Sequence, residues 1–197
     1  MIHPDTELRF INDIIGYGVV AKKFIPKGTV TWVQDELDQI FTPERQQQVS
    51  PLMREYLETY CFTNSEGNKV LCWDNAKFVN HSFKPTCMST AYDFEIAIKD
   101  IQPGEQLTDD YGYLNIEVPF EVVDEGTERK VVYPDDLLRH YEEWDAAIME
   151  NIPLMLELQY QPLQKFIPKQ TWEEFQKINS GAKAMKSLLT CYYDPAR

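Results

Sequence analysis

No stretch of the sequence approaches the run of about 18 apolar residues that a membrane-spanning helix needs, and mean hydropathy is −0.44. No membrane role is expected. Basic side chains are scarce: 19 Lys and Arg stand against 32 Asp and Glu, a net charge of −13. That balance argues against the phosphate-binding surface on which direct nucleic-acid binding rests. Cysteine is sparse as well. Cys61, Cys72, Cys87 and Cys191 form no C-x-x-C pair and no regular framework, so they are expected to be reduced thiols in an intracellular protein, cytoplasmic or nuclear. Met1 to Phe10 lacks the basic-then-apolar pattern of a secretion signal. Internal repeats and low-complexity tracts are missing too. What is present suffices for a core: 43% of residues are apolar and 13% aromatic over 197 positions, the length of one domain with room for an extension.

The negative charge is concentrated. Residues 105–150 hold 3 basic and 14 acidic side chains, a net of −11, while residues 1–104 carry −4 and residues 151–197 carry +2. A solvated acidic surface is the simple reading. The sharper one is a recognition face for a Lys/Arg-rich peptide.

The first 104 residues read as short strands and turns. Phe24-Ile25-Pro26-Lys27-Gly28 turns into the β-branched run Thr29 to Val33, and Phe94 to Ile98 is a second strand signal ending at Gln102-Pro103-Gly104. Residues 43–60 change to helical spacing, with Thr42 as N-cap before Pro43. Further on, Tyr133 to Asp136 reads as a helix start, with Leu137, Leu138, Tyr141, Trp144 and Ile148 on one face. Pro153, Pro162 and Pro168 argue against continuous helix over 151–168. Thr171-Trp172-Glu173-Glu174 fits a capping box, with Gly181 as the stop. Helix is expected over 134–150 and 170–180, behind a mostly β body.

Three segments carry chemistry. Gly16-Tyr17-Gly18 is weak alone, since two close glycines usually mark a turn, and the G-x-G-x-x-G and following helix of a dinucleotide site are absent. Phe78-Val79-Asn80-His81-Ser82, followed by Pro85 and Cys87, sets three polar side chains after two apolar ones. Such a cluster must find hydrogen bonds from protein or ligand. His81 with Cys87 does not match a zinc spacing, so no metal is expected. Sequence neighbours also rarely meet in the geometry of a nucleophile–base pair, which disfavours Ser82 or Cys87 activated by His81. The third, Gly104-Glu105-Gln106-Leu107-Thr108-Asp109-Asp110-Tyr111-Gly112-Tyr113, is by itself a polar loop ending in two tyrosines.

In this order and at these separations the three segments resemble the SET-domain protein-lysine methyltransferases, with their early G-x-G, their Asn-His-Ser run and their Gly-Glu-Glu-Leu-(Thr)…Asp-Tyr ending. Ile25 to Thr29 resembles an early turn of that family, and Tyr60-Cys61-Phe62 its aromatic-x-aromatic strand. The resemblance covers about residues 8–113. Three features depart from it. Lys77 stands where many members have Arg, and no cysteine-rich zinc cluster precedes or follows. Asp109 occupies a position usually held by an apolar channel residue, where its carboxylate would hold a substrate lysine in the ammonium form.

The resemblance implies a mostly β SET-domain fold of several small sheets with knot-like C-terminal threading. It divides the chain into a SET domain over 1–119 and a helical C-terminal extension over 120–197 that closes the site, with Phe120 or Trp144 as the aromatic against adenine. It implies S-adenosyl-L-methionine as methyl donor and direct in-line displacement by a lysine amine. Gly16, Tyr17 and Gly18 would contact the amino-acid end of the cofactor by backbone, Asn80 by its amide, and His81 by backbone near the adenine. Tyr111 would orient the reacting groups, with Tyr60 and Tyr113 as channel walls. The expected partner is a lysine-containing protein or peptide, basic in character. The alternatives are a non-catalytic SET-fold module holding a basic peptide and an interaction protein without a cofactor.

Overall fold

The computed structural model describes residues 1–194. Its strands are short because turns punctuate the sequence every few residues. β1 (Thr6–Asn12) and β2 (Gly16–Ala21) form an antiparallel hairpin. β3 (Val30–Val33) follows the Pro26–Gly28 turn, where Gly28 has φ +90° and a side chain would strike the backbone of residues 154–155. β4 (Gln39–Phe41) leads into α1 (Pro43–Gln48) and α2 (Pro51–Tyr60). The helical run expected over 43–60 is therefore two helices. Ser50 accepts from the Met53 N–H and Pro51 opens the second helix, so a fresh cap and an N1 proline restart what Thr42 began.

After α2 come β5 (Cys61–Thr63), β6 (Lys69–Leu71), β7 (Asn80–His81), β8 (Cys87–Ser89), β9 (Phe94–Ala97) and β10 (Thr108–Asp109). They assemble small sheets: β3-β9-β8, β4-β6-β5, and the parallel pair β7-β10. The last is the consequential one. It sets Thr108 beside Asn80 and Asp109 beside His81, joining segments almost thirty residues apart. A minor hairpin, β11 (Phe120–Glu121) with β12 (Val131–Val132), precedes α3 (Asp136–Glu157) and α4 (Lys169–Asn179).

The main core joins Val30, Val33, Phe94, Ile96 and Tyr113 of the β body to Leu137, Trp144, Ile148, Ile152, Met155 and Phe175 of the helices. α3 runs through Pro153, against expectation. An interior proline costs ~3 kcal/mol, but the turn around it buries Ile152 and Met155 in that core, each worth about 1.5–3 kcal/mol. Tertiary burial outweighs local propensity. α4 begins at Lys169 with no side-chain cap, so Thr171 lies inside the helix rather than at its start; Gly181, at φ +73°, does follow its end. No helix among the described residues is long and apolar enough to cross a membrane.

Candidate functional site

The Asn-His-Ser segment lies between the β1–β2 hairpin and the Gly104–Tyr113 segment. β2 is flanked on its outer side by residues 105–107, through Ala21 N–H to Glu105 O and Leu107 N–H to Val19 O. Gly18 thereby comes so close to Asn80 and Gln106 that a Cβ would lie 2.6 Å from Asn80 Nδ2 and 2.5 Å from Gln106 Oε1. Only glycine fits. Asn80 Nδ2 donates to Tyr17 O and to Gln106 Oε1, both at 3.1 Å, and Oδ1 has no hydrogen bond among the described residues. Tyr17 itself is exposed and meets the Phe10 ring edge-on. At Gly16 a side chain would meet open space.

His81 Nδ1 accepts the Tyr111 N–H at 3.0 Å, so the neutral ring carries its proton on Nε2, which is buried without a partner among the described residues. Burial lowers its pKa to about 4 and keeps it neutral at physiological pH. The rings of Phe83, Tyr111 and Phe120 stand edge-on around it. Phe120, at the end of the β body, also lines the pocket described below. Trp144 does not; it lies in the core against Tyr113, so of the two aromatics considered for an adenine contact only Phe120 is accessible.

Tyr111 follows β10 in a 3-10 turn capped by Asp110, whose Oδ1 accepts the Gly112 N–H. The Tyr111 hydroxyl donates to Val79 O at 2.5 Å, and burial raises its pKa, so it is a neutral phenol with lone pairs free to accept. Tyr60, Tyr111 and Tyr113 line one pocket of about 790 Å³. Tyr60, at the end of α2, meets Phe78 edge-on at 5.4 Å. Tyr113 is buried and its oxygen accepts the Ser89 N–H. The structure thus brings the three tyrosines to one cavity. Gly16, Tyr17, Gly18, Asn80 and His81 lie together at the hairpin and the β7 strand, outside the pocket lining.

The acidic block is only partly a surface. Asp109, Asp110 and Asp136 are buried. Arg129 bridges the last two, pairing with Asp110 and donating to Asp136 Oδ2 at 2.6 Å, with its guanidinium over the Phe83 ring. Glu125 Oε2 accepts from Ser82 Oγ and the Phe83 N–H. Asp136 is therefore an internal anchor and not part of a recognition face. Asp109 lines the pocket, and burial and the neighbouring Glu95 raise its pKa well above the usual carboxylate range.

Glu95, Trp32, Arg129 and Glu125 were not singled out from the sequence. Glu95 left a signal, being the one charged residue in the apolar strand Phe94–Ala97; the other three left none.

Comparison with known proteins gives a match of residues 16–112 to the SET domain family model. No curated protein is significantly similar to the chain. Among matching solved structures, the crystal structure of a candidate histone methyltransferase from Plasmodium falciparum aligns over 56% of this chain and 95% of its own, at 16% identity and a TM-score of 0.42.

Proposed function

Since the chain belongs to the SET-domain family, we propose that it is a protein-lysine N-methyltransferase using S-adenosyl-L-methionine. The observation that carries this reading is the convergence of Tyr60, Tyr111 and Tyr113 on one pocket, with Tyr111 hydrogen-bonded to the Asn-His-Ser segment. Aromatic walls suit a lysine side chain, packing its apolar stem while tolerating a cationic head.

The hairpin region fits the cofactor. Gly18 packs directly on Asn80 there, whose Oδ1 has no hydrogen bond among the described residues, while the His81 ring, with its unpartnered Nε2 donor, lies among Phe83, Tyr111 and Phe120. When bound, S-adenosylmethionine supplies an electrophilic methyl group on a sulfonium. Gly16, Tyr17 and Gly18 would meet its amino-acid end through backbone groups, and Asn80 Oδ1 would accept from its ammonium. The His81 segment and Phe120 would flank the adenine. Tyr111 does its work by position: its proton is committed to Val79 O, so its oxygen presents lone pairs, polarised by that bond, to the reacting centre.

The reading also takes residues 1–119 as the SET domain and 120–197 as the extension that closes it. Support comes from Phe120, Glu125 and Arg129, which reach back to Tyr111, Ser82 and Asp110. The partner on this reading is a basic, lysine-bearing protein segment. A thermal-shift measurement with S-adenosylhomocysteine tests the cofactor half: a ligand bound by the native state alone raises the melting point. No shift at millimolar ligand would favour the non-catalytic module.

A further inference from the structure

Two of the acids that line the pocket are buried, and methyl transfer does not use them. Glu95 lies on β9 and is 4% exposed; Asp109 lies on β10 and is 5% exposed; both line the cavity. Thr31 Oγ1 donates to Glu95 Oε1 at 2.6 Å. Asp109 Oδ1 is buried and receives no hydrogen bond from any donor among the described residues. A proton shared between the two carboxyls satisfies that oxygen. Trp32 supplies an independent sign of a ligand. It is 8% exposed, sits opposite Glu95 in the β3-β9 register and lines the same cavity, yet its Nε1–H finds no acceptor among the described residues.

We propose that Asp109 and Glu95 form a proton relay that accepts the proton of the incoming lysine ammonium. The proposal rests on the methyltransferase reading and names how its acceptor becomes nucleophilic. A free lysine, with a pKa near 10.4, enters as ammonium and has no lone pair to attack with. In the relay the N–H bond breaks and its electron pair stays on nitrogen. The proton joins one oxygen of Asp109 while the proton on the other passes to the Glu95 carboxylate. An ammonium and a carboxylate become an amine and a carboxylic acid, with charge conserved.

Burial drives this exchange. Removing both charges from water favours the neutral pair, raising the acid and lowering the amine until the proton crosses. Burial raises the pKa of Glu95, and hydrogen bonds from Thr31 and Asp109 oppose that rise; Asp109, raised well above the usual carboxylate range by burial and by Glu95, is the acid of the pair that keeps its proton before substrate arrives. The other groups facing the pair do not compete. Cys87, on β8, has its thiol pKa pushed up by burial, Tyr111 is a neutral phenol, and Asp110 is bound to Arg129.

The test is an infrared difference spectrum of the full chain, saturated with S-adenosylhomocysteine, on adding n-butylamine at neutral pH. The relay predicts a gain of one protonated-carboxyl carbonyl band in the wild type. Glu95→Gln abolishes that gain, and Asp109→Asn, the second variant should the first not fold, abolishes it as well. An unchanged carboxyl region in the wild type overturns the proposal, because the ammonium has then kept its proton. So does a gain that survives both substitutions. Failure of the methyltransferase reading looks different: S-adenosylhomocysteine would give no thermal shift, while the butylamine band would still report on the acid pair.

Discussion

At the scale of single residues the account rests on Tyr111. Among the described residues its hydroxyl makes one hydrogen bond, to Val79 O, and the residue lines the pocket. Tyr111→Phe keeps the ring, so S-adenosylhomocysteine affinity is expected to stay within a few fold. Turnover should fall on the order of a hundredfold, the size of a lost transition-state contact. Stability should fall by about 1–3 kcal/mol, since a buried carbonyl loses its donor. Equal losses in affinity and turnover would place the residue in ground-state binding instead. Asn80→Ala is expected to weaken the cofactor first, because it removes the Oδ1 acceptor and also releases Tyr17 O and Gln106. His81 gives a pH signature. Its folded pKa of about 4 lies below the usual 6.5, so the unfolded chain binds its proton more readily. The neutral imidazole's contribution is complete above 6.5 and is lost as pH falls towards 4, by ~3 kcal/mol in all. Denaturant melts of wild type and His81→Asn between those pH values should converge as pH falls. Parallel curves would mean that His81 titrates alike in both states.

At the scale of elements, the parallel pairing of β7 and β10 makes the site, and Arg129 locks it from outside the β body. Arg129→Met leaves Asp110 and Asp136 buried without their cation, a change expected to cost about 3–5 kcal/mol in urea unfolding. Asp135→Asn, which touches only the exposed Arg139 pair, should leave the midpoint unchanged. If both variants behave alike, the clasp is a surface pair in effect. Much of this level was legible beforehand. Val30–Val33 and Phe94–Ala97 announced themselves by β-branched and apolar runs, and Asn80 and Tyr111 by motif order. Three features were not legible. Pro153 breaks helices locally, and only the buried Ile152 and Met155 reveal why α3 continues. Charge counting put Asp110 and Asp136 on a surface, because a sum cannot say which acids turn inward. Arg129 looked like one more charge in a polar segment, since its two partners lie 19 and 7 residues away.

At the scale of the whole molecule, the β body and the C-terminal helices share one core, with Trp144 against Tyr113 and Phe175 against Phe94. Lys186, Leu188, Thr190 and Cys191, near the C-terminal end of the described residues, line the pocket as well. Exposed acids still stand at the pocket's edge, Glu58 and Glu66 among them. Association with a lysine-rich peptide should weaken as salt is raised, since the attraction is screened over about 8 Å at physiological ionic strength. Glu58→Lys with Glu66→Lys should lower the association rate more than it raises the dissociation rate; salt-independent kinetics would assign these acids to solubility alone. The central claim, methyl transfer to lysine, has a direct measurement. The full chain and its Tyr111→Phe variant are incubated with methyl-labelled S-adenosylmethionine on an array of lysine-containing peptides, and labelled sites are located by tandem mass spectrometry. The account predicts label on lysine side-chain nitrogens with the wild type and roughly a hundredth of it with the variant. Absence of label from every lysine, or equal label with the variant, would contradict it.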